Sequence, residues 1–282
     1  VIGLSSGESY TPEGLRLLCR TRPEVDPSLP SLLFIHGAMD RGASFSRVMR
    51  RLPQFSSIAV DRRGYAGSLE AGSLEGGVSV SLGAHVDDLL SVIDFSGADS
   101  VVVIGHSLGG TLALGLAHFQ DPRVIGLGVF ESPMPSLDNS YALVGGGAIE
   151  CGEQKGPEAA AEFFYRLMVG DAVWDRLRER DRVARRAEGT ALLAELRSLR
   201  TPGSTVDPRA VTLPTLMGLG TESRTSLLES AELLHRALPC SQLKKIRGAG
   251  HGAHLSHADD FARYVQSCVE FAVQGGTTSN KS

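Results

Sequence analysis

Apolar and polar positions along the chain alternate between two periods. Short, mostly apolar and often β-branched runs recur at Ser31–Ile35, Ile58–Val60, Val101–Ile104, Val124–Phe130 and Thr215–Leu219, and the more polar Leu243–Ile246 reads as one further strand outside that description. Runs of this length without alternation predict strands buried on both faces. Leu15–Arg20 adds a further strand, expected at a sheet edge. Between these runs the spacing turns helical. Leu82–Phe95 places Val86, Leu89, Leu90 and Ile93 on one face, and Leu227–Leu238 and Asp259–Val273 repeat the pattern. Strand and helix in steady alternation imply a mostly parallel sheet with helices on both faces.

The alternation breaks from about Pro133 to Arg209. The break opens with Pro133, Pro135 and Gly145-Gly146-Gly147, then turns helical, with Pro157 at the first position of a helix over Glu158–Met168. Phe163, Phe164, Leu167 and Met168 form an apolar stripe. Trp174 and Leu177 continue it, as do Leu192, Leu193, Leu196 and Leu199. These stripes are expected to pack against the sheet. The arginines between Arg176 and Arg186 alternate with Asp175, Glu179 and Asp181 and read as a solvated helix face. The expected organisation is a core domain of residues 1–132 and 210–274, a helical cap at 133–209, and a mobile polar tail at 275–282.

Composition narrows this picture without redirecting it. The 282 residues suit one large domain, and a net charge of −4 gives no reason to expect a nucleic-acid partner. Cys19, Cys151, Cys240 and Cys268 are scattered, with no C-x-x-C pair. That spacing speaks against a zinc site and a disulfide framework, and for a reducing compartment. No run approaches the roughly 18 apolar residues of a membrane span, and no basic-then-apolar signal pattern opens the chain. The expectation is a cytoplasmic protein with no membrane, metal or cofactor requirement.

The candidate chemistry begins at Gly105-His106-Ser107-Leu108-Gly109, a G-x-S-x-G sequence set between the strand Val101–Ile104 and the apolar helical run Thr111–Ala117. A strand-to-helix turn of this kind is a nucleophile elbow, in which a strained backbone projects the serine from the sheet edge. Gly105 and Gly109 flank the turn where a Cβ would collide with neighbouring backbone. Leu108 N–H then lies at a helix N-terminus, able to stabilise a developing oxyanion. A candidate base follows the last strand, in Gly248-Ala249-Gly250-His251-Gly252-Ala253-His254-Leu255-Ser256-His257. His251, directly after the glycine turn, is the preferred residue; His254 and His257 read as structural or surface histidines. Serine first and histidine last is one of the known chain orders of a catalytic triad.

On these motifs the chain resembles the α/β-hydrolases from about residue 10 to 273. The resemblance implies an α/β-hydrolase fold with an inserted helical cap. It also assigns His36-Gly37-Ala38-Met39-Asp40 to the oxyanion loop, with Ala38 N–H as the second donor beside Leu108. Asp61-Arg62-Arg63-Gly64-Tyr65-Ala66-Gly67-Ser68 resembles the family's D-x-R-G-x-G-x-S turn, with Ala66 where a glycine is usual. His36 and Asp61 are read as a loop brace and a loop cap.

The acid is where the pattern departs. In the family it commonly follows the strand after the cap, in a G-x-x-D turn; here Gly220-Thr221-Glu222-Ser223 puts a serine at that place. Two carboxylates remain as candidates. Glu222 is one residue out of register. Glu131 ends the strand before the cap, where haloalkane dehalogenases and zearalenone lactonases place an acid, and it is favoured over Glu222. The implied activity is hydrolysis of a small carboxylic ester or lactone by Ser107, His251 and Glu131 through an acyl-enzyme. A carbon–carbon bond hydrolase, a thioesterase or a cofactor-free haloperoxidase-like enzyme could use the same residues. A non-catalytic ligand-binding protein could use the same fold. Oligomeric state is left open.

Overall fold

The structure is a computed structural model describing residues 6–20, 25–71, 73–74, 77–78, 80–137, 140–201 and 206–275. The polar tail expected to be mobile lies, from residue 276 onward, outside the described residues. Among the described residues, ten strands and eleven α-helices follow in chain order. The first part comprises β1 (Gly7–Tyr10), β2 (Arg16–Arg20), β3 (Ser31–Ile35), α1 (Ser46–Met49), β4 (Ser57–Val60), the small pair β5 (Ser73–Leu74) and β6 (Gly77–Val78), α2 (Leu82–Ser96), β7 (Val101–His106), α3 (Leu108–His118) and β8 (Val124–Phe130). Five helices come next: α4 (Ser140–Lys155), α5 (Pro157–Val169), α6 (Asp171–Arg176), α7 (Glu179–Ala187) and α8 (Gly189–Leu199). The chain then returns to β9 (Thr215–Gly220), α9 (Thr225–Ala237), β10 (Ser241–Ile246), α10 (Ala253–Ser256) and α11 (Ala258–Val273).

Eight strands form one sheet in the order β1-β2-β4-β3-β7-β8-β9-β10. All pairs from β4 to β10 are parallel, and β1 and β2 are added antiparallel at one side. The strand expected at the edge, β2, is therefore covered by β1. The short sequence of β1, Gly-Glu-Ser-Tyr, is mostly exposed and carries no apolar run that could have marked it.

Two apolar layers hold helices to the sheet. On one face Val86, Leu89 and Val92 of α2 and Leu112, Leu114 and Leu116 of α3 meet Leu33, Val103 and Leu127. On the other, Phe261, Val265 and Cys268 of α11 and Val48 of α1 meet Phe34, Val102 and Ile104. α2 begins at Ser81, whose hydroxyl accepts from Ala84 N–H, and ends at left-handed Gly97. The strand order reverses direction between β3 and β7. In open α/β sheets ligands bind beyond the carboxyl ends of the strands at such a switch point, and the loops after β3 and β7 carry His36-Gly37-Ala38 and Ser107.

α4–α8 occupy the break in the alternation and form a third apolar cluster. Phe164, Leu192, Leu193 and Leu196 pack there with Met39, Tyr65 and Val80 from the sheet-end loops. The triple glycine, expected ahead of the helical part of the break, lies inside α4. Helix packing accounts for this: a Cβ on Gly147 would meet the Phe163 ring at 3.1 Å, and one on Gly145 would meet Leu196 at 3.2 Å. Close approach of α5 and α8 decides the conformation there, outweighing the low helix propensity of glycine.

Candidate active site

β7 is buried at every position and delivers the chain to Ser107. Ser107 has φ 53° and ψ −128°, a conformation that L-residues rarely adopt, and it directly precedes α3. A Cβ on Gly105 would lie 2.4 Å from the Gly109 carbonyl oxygen, and one on Gly109 would lie 2.1 Å from that of Ile35. Only glycine fits either place. The bent backbone is held by Ser107 N–H donating to Phe130 O at 2.9 Å and Gly110 N–H donating to Ser107 O at 2.9 Å. Five described non-glycine residues have positive φ, and three of them, Met39, Ser107 and Glu131, follow β3, β7 and β8. Strain gathered at neighbouring strand ends is what a preorganised site stores.

Glu131 follows β8 with its side chain fully buried, yet each of its oxygens has partners. Oε1 accepts from Gly220 N–H at 2.7 Å and from the Ser223 hydroxyl at 2.6 Å; Oε2 pairs with His251 Nδ1 at 2.7 Å. Ser223, which stands where the resemblance placed an aspartate, thus donates to a carboxylate arriving from the neighbouring strand end. Glu222 is exposed at the cavity rim, where its N–H donates to Ala249 O at 2.8 Å.

A cavity of about 460 Å³ opens over these loops, lined by Ser107, His251 and Ala38 from the strand ends and by Phe164 and Met168 from α5. The stripe expected to pack against the sheet therefore also lines a pocket, while Phe163 is partly exposed beside Gly147. Leu108 is buried as the first residue of α3. The Ala38 peptide is oriented from behind. Gly37 C=O, in the same peptide group as Ala38 N–H, accepts from His36 Nδ1 at 2.7 Å and from Arg62 Nη2 at 3.0 Å. Arg62 N–H donates to His36 Nε2 at 3.0 Å, which makes Nδ1 the protonated nitrogen of a neutral ring. Burial, aided by the Arg62 charge, pushes His36 well below its ordinary pKa. Asp61 accepts from Gly42 N–H, Gly67 N–H and Arg16, tying adjacent loops together.

Two buried polar groups lie beside this loop. Arg62 pairs with Glu195 of α8, which also accepts from Tyr65 Oη at 2.7 Å and contacts His85 Nε2 at 3.1 Å. Burial opposes the Glu195 charge, but Arg62 and His85 outweigh it and hold its carboxyl well below the usual range. Spacing could have flagged this residue, since Glu195 shares a helix face with Leu192 and Leu199.

The second group joins Asp40, His106 and His254. His254, read as structural or surface, is buried and lines the cavity, as do the other two. His257 precedes α11 and contacts the Ser256 hydroxyl through Nδ1 at 2.8 Å. The arginine face read as solvated has one exception. Arg185 is buried, its guanidinium sits over Tyr165, and it donates to Met39 O at 2.5 Å.

The model of the family described as alpha/beta hydrolase matches residues 32–264, most of the chain. Lipase LipV of Mycobacterium tuberculosis is 34% identical over 115 residues, which are 40% of this chain and 41% of that protein. The matched region is thus less than half the length of that relative. Among solved structures, a hydrolase from Pseudomonas aeruginosa superimposes with a TM-score of 0.71 at 18% identity, covering 93% of this chain and 97% of that one. A thermophilic esterase from Thermogutta terrifontis gives 0.68 at 21% identity, covering 95% and 99%. No helix among the described residues is long and apolar enough to cross a membrane. With its mostly parallel eight-stranded sheet and the match across residues 32–264, the chain belongs to the alpha/beta hydrolase family.

Proposed function

We propose that this protein is a serine hydrolase that cleaves a carboxylic ester or lactone through an acyl-enzyme, with Ser107 as nucleophile, His251 as base and Glu131 as acid. The observation that carries the reading is the 2.7 Å contact between His251 Nδ1 and a buried Glu131 oxygen, beside a serine in an elbow conformation on the same cavity. A carboxylate on Nδ1 keeps the proton there and frees Nε2 to take the Ser107 proton. Ser107 Oγ attacks the substrate carbonyl, and the oxyanion meets the N–H groups of Ala38 and Leu108. His251 then protonates the leaving alcohol, and in the second half-reaction activates water to release the acid.

α4–α8 act as the cap in this reading. Phe164, Met168 and Val169 give the cavity an apolar wall, which suits an ester or lactone with an uncharged hydrocarbon portion. The test is a fluorophosphonate label followed by a panel of esters and lactones. Ser107→Ala should abolish labelling and lower kcat by about 10⁴-fold or more. Full labelling or turnover in a folded Ser107→Ala protein overturns the proposal.

A further inference from the structure

We infer that Asp40, His106 and His254 form a binding site for a divalent cation of the zinc class, open to the cavity beside the nucleophile. A metal-ligating atom from each residue lies within 4.8 Å of the other two. Two imidazoles and one carboxylate are a donor set suited to zinc or cobalt, with a further position left for water.

The hydrogen bonding around the rings supports the assignment. His106 Nε2 is committed to the backbone oxygen of His251 at 2.8 Å, which leaves Nδ1 as the lone-pair nitrogen. A backbone acceptor on the far nitrogen is the usual outer-shell partner of a metal-bound histidine. His106 Nδ1 is buried without a hydrogen-bond partner, and so are both nitrogens of His254. His254 Nε2 faces Asp40 Oδ2 at 3.3 Å without hydrogen-bond geometry. Asp40 Oδ2 is held from the other side by the Ser44 hydroxyl at 3.0 Å. A buried polar atom left unmatched forfeits its hydration with nothing in return, so three in one cluster call for an occupant. A zinc ion bonds at about 2.0 to 2.2 Å, so the ligand atoms must close by about 1 Å, within reach of side-chain rotation. All three residues line the cavity, which supplies the entry path.

Occupancy has a consequence that rests on the proposed hydrolase reading. The His106 and His251 ring centroids are 4.6 Å apart. A dication on His106 would oppose the imidazolium that His251 must form, so the bound metal inhibits hydrolysis.

The experiment titrates the chelator-treated full chain with Zn²⁺ by calorimetry and with Co²⁺ by visible absorption. One ion per chain is expected. His254→Phe and Asp40→Asn should each weaken binding by about tenfold or more, whereas His251→Ala should leave it in place. His254→Gln replaces His254→Phe if the latter does not fold. Absence of binding at millimolar metal overturns the site, as does unchanged affinity in both ligand variants. Loss of binding in His251→Ala alone places the ion on the catalytic pair and also overturns it. Zn²⁺ should slow ester turnover in the native chain and not in His254→Phe; binding without inhibition refutes the coupling. Calorimetry needs no turnover, so an inactive protein that binds zinc would fail the hydrolase reading and leave the metal site standing.

Discussion

Two buried carboxylates and two buried imidazoles lie within a few residues of the same cavity, and they are treated differently. Glu131 and Glu195 have partners on both oxygens: Gly220, Ser223 and His251 for the first, Arg62, His85 and Tyr65 for the second. His106 and His254 are as deeply buried, yet three of their four ring nitrogens have no hydrogen-bond partner. Saturated groups fix geometry, because any rearrangement breaks a bond that water cannot replace. Unsaturated groups weaken the fold and persist where a ligand can complete them. The contrast separates a scaffold that orients the candidate catalytic residues from a cluster held ready for an ion.

The largest expected effect probes the saturated side through Glu131. In Glu131→Gln one amide oxygen must still serve Gly220 N–H and the Ser223 hydroxyl at the Oε1 position. The amide NH₂ then faces His251 Nδ1 and forces the opposite tautomer, which cannot accept the serine proton. kcat should fall by about 10³- to 10⁴-fold with the fold intact. Exposed Glu222→Gln should cost less than tenfold. Steady-state kinetics on a short ester decide between them, and the reverse ranking moves the acid to Glu222.

The second effect is on stability. Arg62→Met leaves Glu195 buried with only neutral partners and removes one donor from Gly37 C=O. Breaking a buried pair from one side costs about 3 to 5 kcal/mol, read as a lower denaturant midpoint. A loss below about 1 kcal/mol would show that the pair is not desolvated as described. A smaller, pH-dependent effect comes from the same region. His36 and His85 are both pushed below their ordinary 6.5, first by burial and then by Arg62, although Glu195 partly restores His85. The unfolded chain therefore binds these protons more readily as the pH falls below about 6.5, and the folded state loses stability there. Glu195, held below its ordinary 4.5, contributes stability that is full above that value and is lost on further acidification. Unfolding free energy should drop by about 1 to 2 kcal/mol between pH 7.5 and 5. A flat profile would mean that these histidines take up protons in the fold at the same pH as in the unfolded chain.

Much of this architecture is legible in the chain before any coordinates, because the legible parts are local. The β-branched run of β7, its flanking glycines and the apolar start of α3 announce a strand-to-helix turn within 17 residues, Val101–Ala117. Ser107, Glu131 and His251 stand out as candidates because each follows a strand. What stayed hidden depends on contacts distant in sequence. Glu195 meets Arg62 across 133 positions, and Arg185 meets Met39 across 146. Gly145 and Gly147 read as preceding the helical part because helix packing against Leu196 and Phe163 has no local signature. His254 and Asp40 acquire a common environment only when the loops after β3 and β10 fold over β7.

The smallest effect tests the unsaturated side and is informative because it is small. His254 sits among aromatic rings, with centroids 5.0 Å from Phe45 and 5.9 Å from Phe261, so phenylalanine can occupy its place. His254→Phe deletes two unmatched buried nitrogens and adds apolar surface to an apolar wall. It also deprives Asp40 of the imidazole it faces, but Asp40 retains the Ser44 hydroxyl and its side chain is 22% exposed to water. The gain from removing unmatched polar atoms and the loss around Asp40 oppose each other. In metal-free buffer the net change in unfolding free energy should stay below about 1 kcal/mol, against several for Arg62→Met. With zinc present the native chain alone should be further stabilised, since an ion that binds only the folded state raises its stability by mass action. A loss of more than about 3 kcal/mol in metal-free buffer would show that the His254 nitrogens are structural partners after all, and the distinction between the two regions would collapse.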